Sequence, residues 1–302
     1  MNERADAQLA GGTLGDRYDI LELLGVGGMG AVYRARDREL DEIVALKVIR
    51  RELAQVPAMA ERFRHEVKLA RRVTHGNVAR TFELGVVDGV MFCTMEMIEG
   101  ESLAKRLLAR GKLPVTEAVA IACAMCDALS AAHGANVIHR DIKPDNVLLA
   151  VDGRVVIADF GVAAVGVGTA GELSGTPAYM APEQARGEPP TPAADVYAVG
   201  VVLAEMVTGR PPFDGDVMTI LEGKQTIEHV AVVPSGEVTA ELAAVIGRAT
   251  ARDVVARFDS ATGLREALAP WLRASRPSMV QIPAPVARAT AAHELTTVVV
   301  PA

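Results

Sequence analysis

The sequence changes character near residue 100, and this change constrains the fold more than any other feature. Before that point, short runs such as YDILELLG, GAVYRARD and EIVALKVIR are typical of strands separated by glycine or charged turns. One run there, MAERFRHEVKLARRVTH, has apolar residues at helical spacing. After that point most apolar runs are helix-like, for example PVTEAVAIACAMCDALSAAHGA and PAADVYAVGVVLAEMVTG. We therefore predict an α+β fold: a small β-rich lobe with one main helix, joined to a larger, mostly helical lobe.

Composition and charge narrow the class of protein. The 302 residues are 50% hydrophobic and 23% charged, which is typical of a globular chain. The formal net charge of -7 argues against a dedicated nucleic-acid-binding protein. The N-terminus lacks the apolar core of a signal peptide, and no uncharged apolar window of about 18 residues predicts a membrane span. We expect a cytoplasmic chain without nucleic-acid partners.

The cysteines Cys93, Cys123 and Cys126 are too few for a disulfide framework. Cys123 and Cys126 form a C-x-x-C pair, which could serve redox or zinc chemistry. No second pair or histidine cluster completes a zinc site, and the pair lies inside an apolar helix-like run. We interpret both as buried helical cysteines.

The segment LGVGGMGAV contains a G-x-G-x-x-G pattern at Gly25, Gly27 and Gly30. Glycines allow a backbone to approach phosphates closely and to direct N–H groups at them. The pattern alone also fits dinucleotide-binding folds and chance turns. In a dinucleotide-binding fold it leads into a helix, whereas here it leads into AVYRAR, which alternates like a strand. This context favours a β-hairpin that closes over a nucleotide.

Lys47 ends the run VALK inside an apolar strand, where an unpaired charge is costly. It could be an ordinary edge-strand lysine. Glu66, on the following helix, is the candidate partner, and an ion pair between them would aim the ammonium at phosphate oxygens.

The stretch VIHRDIKPDNVLLA places acids, bases and an asparagine between apolar flanks, and ADFG follows soon after it. Asn146 and Asp159 carry the oxygen ligands that Mg²⁺ prefers. Asp141 could accept or orient the proton of an attacking hydroxyl, and Lys143 could stabilise a transferring phosphoryl group. Their joint occurrence in this order favours a phosphoryl-transfer site over an ordinary polar turn.

The glycine segment, VALK, HRDIKPDN, DFG and APE occur in one order between about Tyr18 and Leu272. In this the chain resembles bacterial Hanks-type (eukaryotic-like) serine/threonine protein kinases. LGVGGMGAVYRARD and GTPAYMAPEQ resemble the bacterial branch in particular. The resemblance implies the bilobal protein-kinase fold, ATP as substrate, Mg²⁺ as the metal, and serine or threonine hydroxyls of proteins as acceptors.

The resemblance also implies roles for single residues. Lys47, paired with Glu66, would hold the α- and β-phosphates, Asp141 would be the catalytic base, and Lys143 would contact the γ-phosphate. Asn146 and Asp159 would bind Mg²⁺. The expected ATP-contacting residues are Leu24, Gly25, Val26, Gly27, Gly28, Met29, Gly30, Ala31, Val32, Ala45, Lys47, Glu96, Ile98 and Leu148, with Met95 as the gatekeeper beside them.

Other residues would hold the fold rather than perform chemistry. The resemblance makes His139 a structural residue of the loop, pairs Glu183 of APE with Arg257, and has Asp195 brace the backbone of the catalytic loop.

Regulation is expected in two places. By the resemblance, Arg140 would pair with a phosphate on the activation loop, where Thr169 and Ser174 are the candidate sites and Thr176 is structural. Autophosphorylation of Thr296 and Thr297 could recruit a phosphothreonine-binding (FHA-type) partner, although an inert tail is the alternative.

We divide the chain into a flexible N-terminal arm (1–16), a kinase domain (17–272, with an N-lobe at 17–97 and a C-lobe at 98–272) and a flexible C-terminal tail (273–302). Two other functions are open. A pseudokinase acting as a binding module would lack a key lysine or aspartate, and none is missing here. A small-molecule phosphotransferase would lack the GTPAYMAPE segment, which builds a peptide platform.

Overall fold

The computed structural model describes residues 11–160 and 177–273 and confirms the bilobal fold. The smaller lobe is an antiparallel sheet with strand order β1-β2-β3-β4-β6-β5. Its elements are β1 (Thr13–Leu14), β2 (Tyr18–Gly27), β3 (Gly30–Asp37), β4 (Glu42–Ile49), α1 (Arg51–Ala54), α2 (Pro57–Ala70), β5 (Thr81–Val87) and β6 (Val90–Glu96).

The larger lobe is mostly helical, with one small sheet of order β7-β8-β9 beside the inter-lobe cleft. Its elements are β7 (Gly100–Ser102), α3 (Leu103–Arg110), α4 (Val115–Gly134), β8 (Val147–Ala150), β9 (Val155–Ile157), α5 (Pro182–Ala185), α6 (Pro192–Thr208), α7 (Val217–Thr226), α8 (Ala240–Ala249) and α9 (Ala261–Arg273).

Strand β4 lies between two apolar layers. Its side chains alternate between these layers, and this alternation decides to which side Lys47 points. Val44 and Leu46 pack in the layer on one face of the sheet, whereas Ala45 packs with Phe63 of α2 on the other face. Successive side chains of a strand point to opposite faces. The side chain of Lys47 therefore points to the same face of the sheet as that of Ala45, which is the face covered by α2.

Helix α4 is apolar enough to cross a membrane by length and composition, and no other helix of the described residues is. Here it is a core helix, because 61% of its apolar window is buried within the domain. It packs against α6 and α9. Cys123 and Cys126 are buried in it as free thiols, which confirms their interpretation as helical core residues.

The prediction that residues 1–16 form a flexible arm is wrong for the last residues of that range. Thr13 pairs with Asp19 and Leu14 with Tyr18, so β1 extends the sheet. The physical reason is apolar burial: Leu14 is 4% exposed and belongs to the same core layer as Tyr18. Residues 1–10 and the predicted tail from residue 274 lie outside the described residues.

A buried ion pair joins two distant parts of the larger lobe, as the sequence predicts. Arg257 donates two hydrogen bonds of 2.7 Å to the two carboxylate oxygens of Glu183. It also donates to the carbonyls of Ala193, Ala251 and Arg252. The charges are almost fully buried but satisfied, so removing one partner would leave the other uncompensated.

We therefore expect Arg257→Met to lower the free energy of unfolding by about 3–5 kcal/mol. Arg36→Met is the matched control, because Arg36 forms an exposed ion pair with Asp41, and such pairs are worth roughly 0–1 kcal/mol. Chemical denaturation of both variants measures the difference. Equal losses for the two variants would contradict a special role for the buried pair.

Candidate active site

The glycine segment forms a β-hairpin, as the sequence predicts. β2 and β3 pair antiparallel up to Gly27 opposite Gly30, so the segment connects two strands and the dinucleotide-binding alternative is excluded. Gly30 is required by packing, because a side-chain carbon there would lie 1.9 Å from the carbonyl oxygen of Val48. At Gly25 and Gly28 no heavy atom of the described residues lies within 4 Å of such a carbon. The hairpin therefore offers bare backbone that a phosphate could approach.

Lys47 pairs with a different carboxylate from the predicted one. Its Nζ lies 2.8 Å from Oδ1 of Asp159, which follows β9 in the other lobe. Among the described residues no ion pair joins Lys47 to Glu66. The predicted Lys47–Glu66 pair is therefore wrong for this conformation. Burial alone would raise the pKa of Asp159, but the Lys47 ammonium outweighs it and holds that pKa below its usual range.

Glu66 lies on the buried face of α2 and is 4% exposed. Neither carboxylate oxygen accepts a hydrogen bond from the residues that the structure describes. Burial raises the pKa of Glu66 to about 7, and the positive charges of Arg62, Arg140 and Lys47, in that order, offset only part of the rise. Burial therefore favours the neutral carboxyl of Glu66 below about pH 7.

The polar loop after α4 brings together Asp141, Lys143 and Asn146. Nζ of Lys143 donates to Oδ2 of Asp141 at 2.8 Å. Nδ2 of Asn146 donates to the same oxygen at 3.1 Å and to the backbone carbonyl of Asp141 at 2.8 Å. Because the amide nitrogen of Asn146 is engaged, its Oδ1 is the atom that would face a metal ion.

Asp195, in the first turn of α6, holds this loop by its backbone. Oδ2 accepts from the N–H of His139 and Oδ1 from the N–H of Arg140, both at 2.9 Å. Oδ2 also lies 2.8 Å from Nε2 of His133. Arg140 has the left-handed φ of 71°, a strained conformation that the bond to Asp195 stabilises. The bracing role of Asp195 is confirmed, and His133 is a supporting residue that the sequence reading missed.

Both ring nitrogens of His139 are engaged by backbone groups. Nδ1 accepts from the N–H of Asp141 at 3.2 Å, so Nε2 carries the proton and donates to the carbonyl of Ala158 at 2.9 Å. The ring also packs edge-on against Phe160, with centroids 4.6 Å apart. A histidine with both nitrogens occupied is no general base, and this geometry matches the predicted structural role.

The residues expected around adenine lie on the two walls of the cleft. Val32 packs with Ala45 and Met95 in the cluster beneath the smaller lobe's sheet. Leu148 packs with Ile98 in a small cluster of the larger lobe. The apolar residues expected on opposite sides of the base therefore belong to opposite lobes.

Two of the expected nucleotide-contacting residues have other environments. Leu24 is 44% exposed on the glycine hairpin. The N–H of Glu96 donates to the carbonyl of Arg80 at 2.8 Å, and its carboxylate pairs with Arg154 at 3.0 Å. Only the backbone carbonyl of Glu96 is therefore left to meet a base.

Residues on either side of APE connect this segment to the catalytic loop and to α6, which the sequence analysis missed. Nε2 of Gln184 donates to the carbonyl of Arg140 at 3.1 Å. The hydroxyl of Tyr179 donates to Glu205 of α6 at 2.7 Å. Position next to APE was the only signal in the sequence that could have indicated these contacts. The activation-loop residues Thr169, Ser174 and Thr176 lie outside the described residues.

Comparisons with known proteins agree with this geometry. The sequence profile of the family "Protein kinase domain" matches residues 18–281. The chain is 36% identical to the serine/threonine-protein kinase PrkC of Bacillus subtilis, over 84% of this chain and 40% of that protein. It is 35% identical to PknB of Mycolicibacterium smegmatis, over 83% of this chain and 42% of that protein.

Among solved structures, the kinase domain of Mycobacterium tuberculosis PknI is similar, with a TM-score of 0.68 and 28% identity. The alignment covers 87% of this chain and 99% of that one. The chain thus spans a whole kinase domain, but only about two-fifths of the length of the two curated relatives.

The burial of Glu66 predicts a pH-dependent stability. Its pKa is 4.5 in the unfolded chain and about 7 in the fold. Between these values the folded protein binds the extra proton, so stability falls as the pH rises through this window. We expect Glu66→Gln, which cannot ionise, to gain melting temperature relative to the unmodified protein between about pH 5 and about pH 8.

Differential scanning fluorimetry without nucleotide measures this shift. Glu61→Gln, an exposed change on the same helix, is the control and should show no such trend. A difference that stays constant with pH would mean that Glu66 is ionised and paired in solution.

Proposed function

Because the chain belongs to the protein kinase domain family, we propose that it transfers the γ-phosphoryl group of ATP to serine and threonine hydroxyls of proteins. The cluster of Asp141, Lys143 and Asn146 opposite Asp159 carries this proposal. It combines a carboxylate, a cation and metal-type oxygen ligands beneath a backbone hairpin with open glycines.

In the proposed reaction, the bond between the γ-phosphorus and the β-γ bridging oxygen breaks, and a bond from the acceptor hydroxyl oxygen to that phosphorus forms. Asp141 orients the hydroxyl and takes its proton. Lys143, held 2.8 Å from Asp141, neutralises charge on the transferring group. ADP leaves with the bridging oxygen, and the site must then lose the proton to solvent.

Asn146 and Asp159 are the residues that would hold Mg²⁺. Oxygen donors from two side chains fit a metal that completes its shell with phosphate oxygens and water. When bound, the metal supplies positive charge that screens the phosphates. Lys47 pairs with Oδ1 of Asp159, so Oδ2 of that carboxylate would remain for the metal. In the loaded site we infer that Lys47 would turn toward the phosphates and Glu66.

One observation favours the alternative of a pseudokinase acting as a binding module. The Lys47–Asp159 pair satisfies two charges that an active kinase would use on ATP and metal. We infer instead that the chain is an active kinase, because the lysine, aspartates and asparagine that the chemistry needs are all present: Lys47, Asp141, Asn146 and Asp159.

We also infer the location, extent and regulation of the domain. We place the protein in the cytoplasm, where ATP is available. We infer that the domain includes β1 (Thr13–Leu14), which pairs with β2, so it begins before residue 17. The family match extends to residue 281, past the predicted end at 272, and we place the junction of the lobes between residues 97 and 98. Nε of Arg140 is buried without a hydrogen-bond partner among the described residues, which supports its pairing with a phosphate on Thr169 or Ser174. An FHA-type partner for Thr296 and Thr297 stays a prediction.

We expect Asp141→Asn to bind ATP normally but to lose phosphoryl transfer by about 10²–10⁴-fold, because the proton acceptor is gone. Transfer from radiolabelled ATP to myelin basic protein, with ATP binding measured separately, tests this. Asp145→Asn, an exposed change in the same loop, should retain activity. Turnover by Asp141→Asn close to that of the control would refute the assignment.

Incubation with Mg-ATP should lead to phosphorylation of Thr169 or Ser174, because the positive guanidinium of Arg140 can pair with a phosphate on the activation loop. Mass-spectrometric mapping detects the sites, and the Asp141→Asn protein treated identically shows whether the modification is the chain's own. An active enzyme with both residues unmodified would overturn this hypothesis.

A further inference from the structure

Lys224, in α7, is a buried charge that the reaction does not use. It is 1% exposed, although lysine is almost never fully buried without a partner. No carboxylate of the described residues lies within ion-pair distance of its Nζ. Burial, and to a smaller extent the positive charge of Arg257, lower the pKa of Lys224 to about 7. The negative charge of Glu183 offsets only part of this shift.

The partners of Lys224 are a backbone carbonyl, two aromatic rings and, at 3.5 Å, the hydroxyl of Tyr197, to which Nζ also donates. Nζ donates to the carbonyl of Ala178 at 2.8 Å. It lies 3.9 Å from the ring centroid of Phe213 and 5.0 Å from that of Tyr197. Cation–π contacts of this kind, desolvated, compensate part of the cost of burying an ammonium.

Ala178 belongs to residues 177–186, which we call the platform segment because it includes the end of GTPAYMAPE. The next residue of α7, Gln225, donates to the carbonyl of Pro182 at 3.1 Å and accepts from Arg186 at 3.1 Å. Two successive residues of α7 therefore hold two carbonyls of the platform segment. At its other side, Gln184 of this segment donates to Arg140 of the catalytic loop.

An apolar residue could fill this site without the desolvation cost of an ammonium. It would leave the carbonyl of Ala178 without its donor. A lysine here thus holds the platform segment by a hydrogen bond. Its burial lowers the stability of the fold, and an apolar side chain would fill the same space without that loss.

We propose that Lys224 is a positioning residue for the protein substrate: it fixes the platform segment through Ala178 and so preorganises the surface on which the acceptor peptide lies. This rests on the proposed function, since it presumes a protein acceptor. Preorganisation reduces the ordering cost of binding, so loss of Lys224 acts on the KM for protein and leaves the ATP site intact.

Lys224→Met keeps the length and apolar stem of the side chain and removes its donor. We expect its KM for myelin basic protein to rise about ten-fold, the loss of one hydrogen bond from a charged donor. Its KM for ATP and its ATP hydrolysis without protein should match the unmodified enzyme. Gln225→Ala should change the same KM in the same direction, and Lys105→Met, an exposed change on α3, should change nothing.

Amide hydrogen exchange over residues 177–186 gives a readout that does not need activity. We expect faster exchange there in Lys224→Met, with no change in β3 and β4. Unaltered exchange together with an unaltered KM for protein would overturn the proposal. A parallel rise in both KM values, with lower melting temperature, would also overturn it, because it would indicate a purely structural role.

The two hypotheses fail in different ways. If the unmodified enzyme phosphorylates neither itself nor myelin basic protein, the proposed function fails. The exchange experiment then still tests whether Lys224 fixes the platform segment, and exchange identical to that of the unmodified chain rejects this positioning role.

Discussion

The carboxylate of Asp195 is the contact on which the catalytic loop depends. It is 1% exposed and accepts from two consecutive backbone N–H groups and from the side chain of His133. A buried carboxylate is tolerable only when donors satisfy it, and its place in the first turn of α6 adds the favourable end of a helix dipole. Because Arg140 is held in a left-handed conformation there, the direction of the next residue, Asp141, is fixed as well.

The same loop connects the rest of the site. From Asp141, hydrogen bonds reach Lys143 and Asn146, and His139 connects the loop to the backbone just before Asp159. Gln184 connects it to the platform segment. The residues that we propose for the acceptor, the phosphate and the metal are therefore tied to α6 by one hydrogen-bond network, whereas Lys47 and the glycine hairpin belong to the other lobe. A change in the distance between the lobes would move the second group relative to the first and leave the hydrogen bonds of the loop in place.

The sequence predicted those parts of the molecule that local pattern decides. The hairpin at Gly27 and Gly30 and the buried faces of β4 and α2 follow from periodicity. The Glu183–Arg257 pair was implied by the resemblance to kinases alone. β1 was missed because two residues give no alternation to read. α7 was missed because Gly223 interrupts a segment whose buried residues are only Ile220 and Lys224.

The choice of partner by Lys47 could not be read from the sequence for a different reason. One ammonium lies between two carboxylates, those of Glu66 and Asp159, and either pairing leaves one acid without it. Local spacing says which residues are candidates, but the outcome depends on how far the lobes are apart and on the charges of Arg62 and Arg140 near Glu66. Competition of this kind is decided by the whole electrostatic environment.

Arg257 and Lys224 show that burial of a cation has two different meanings in one lobe. The guanidinium of Arg257 has a carboxylate and three carbonyls as acceptors, so the fold gains from it and it needs no further explanation. The ammonium of Lys224 has one carbonyl, the hydroxyl of Tyr197 at 3.5 Å and aromatic faces, and burial lowers its pKa to about 7. Stability alone does not account for a group that the fold disfavours. The carbonyl that it contacts lies in the segment that connects α7 to the catalytic loop, and geometry at that segment is what the lysine contributes.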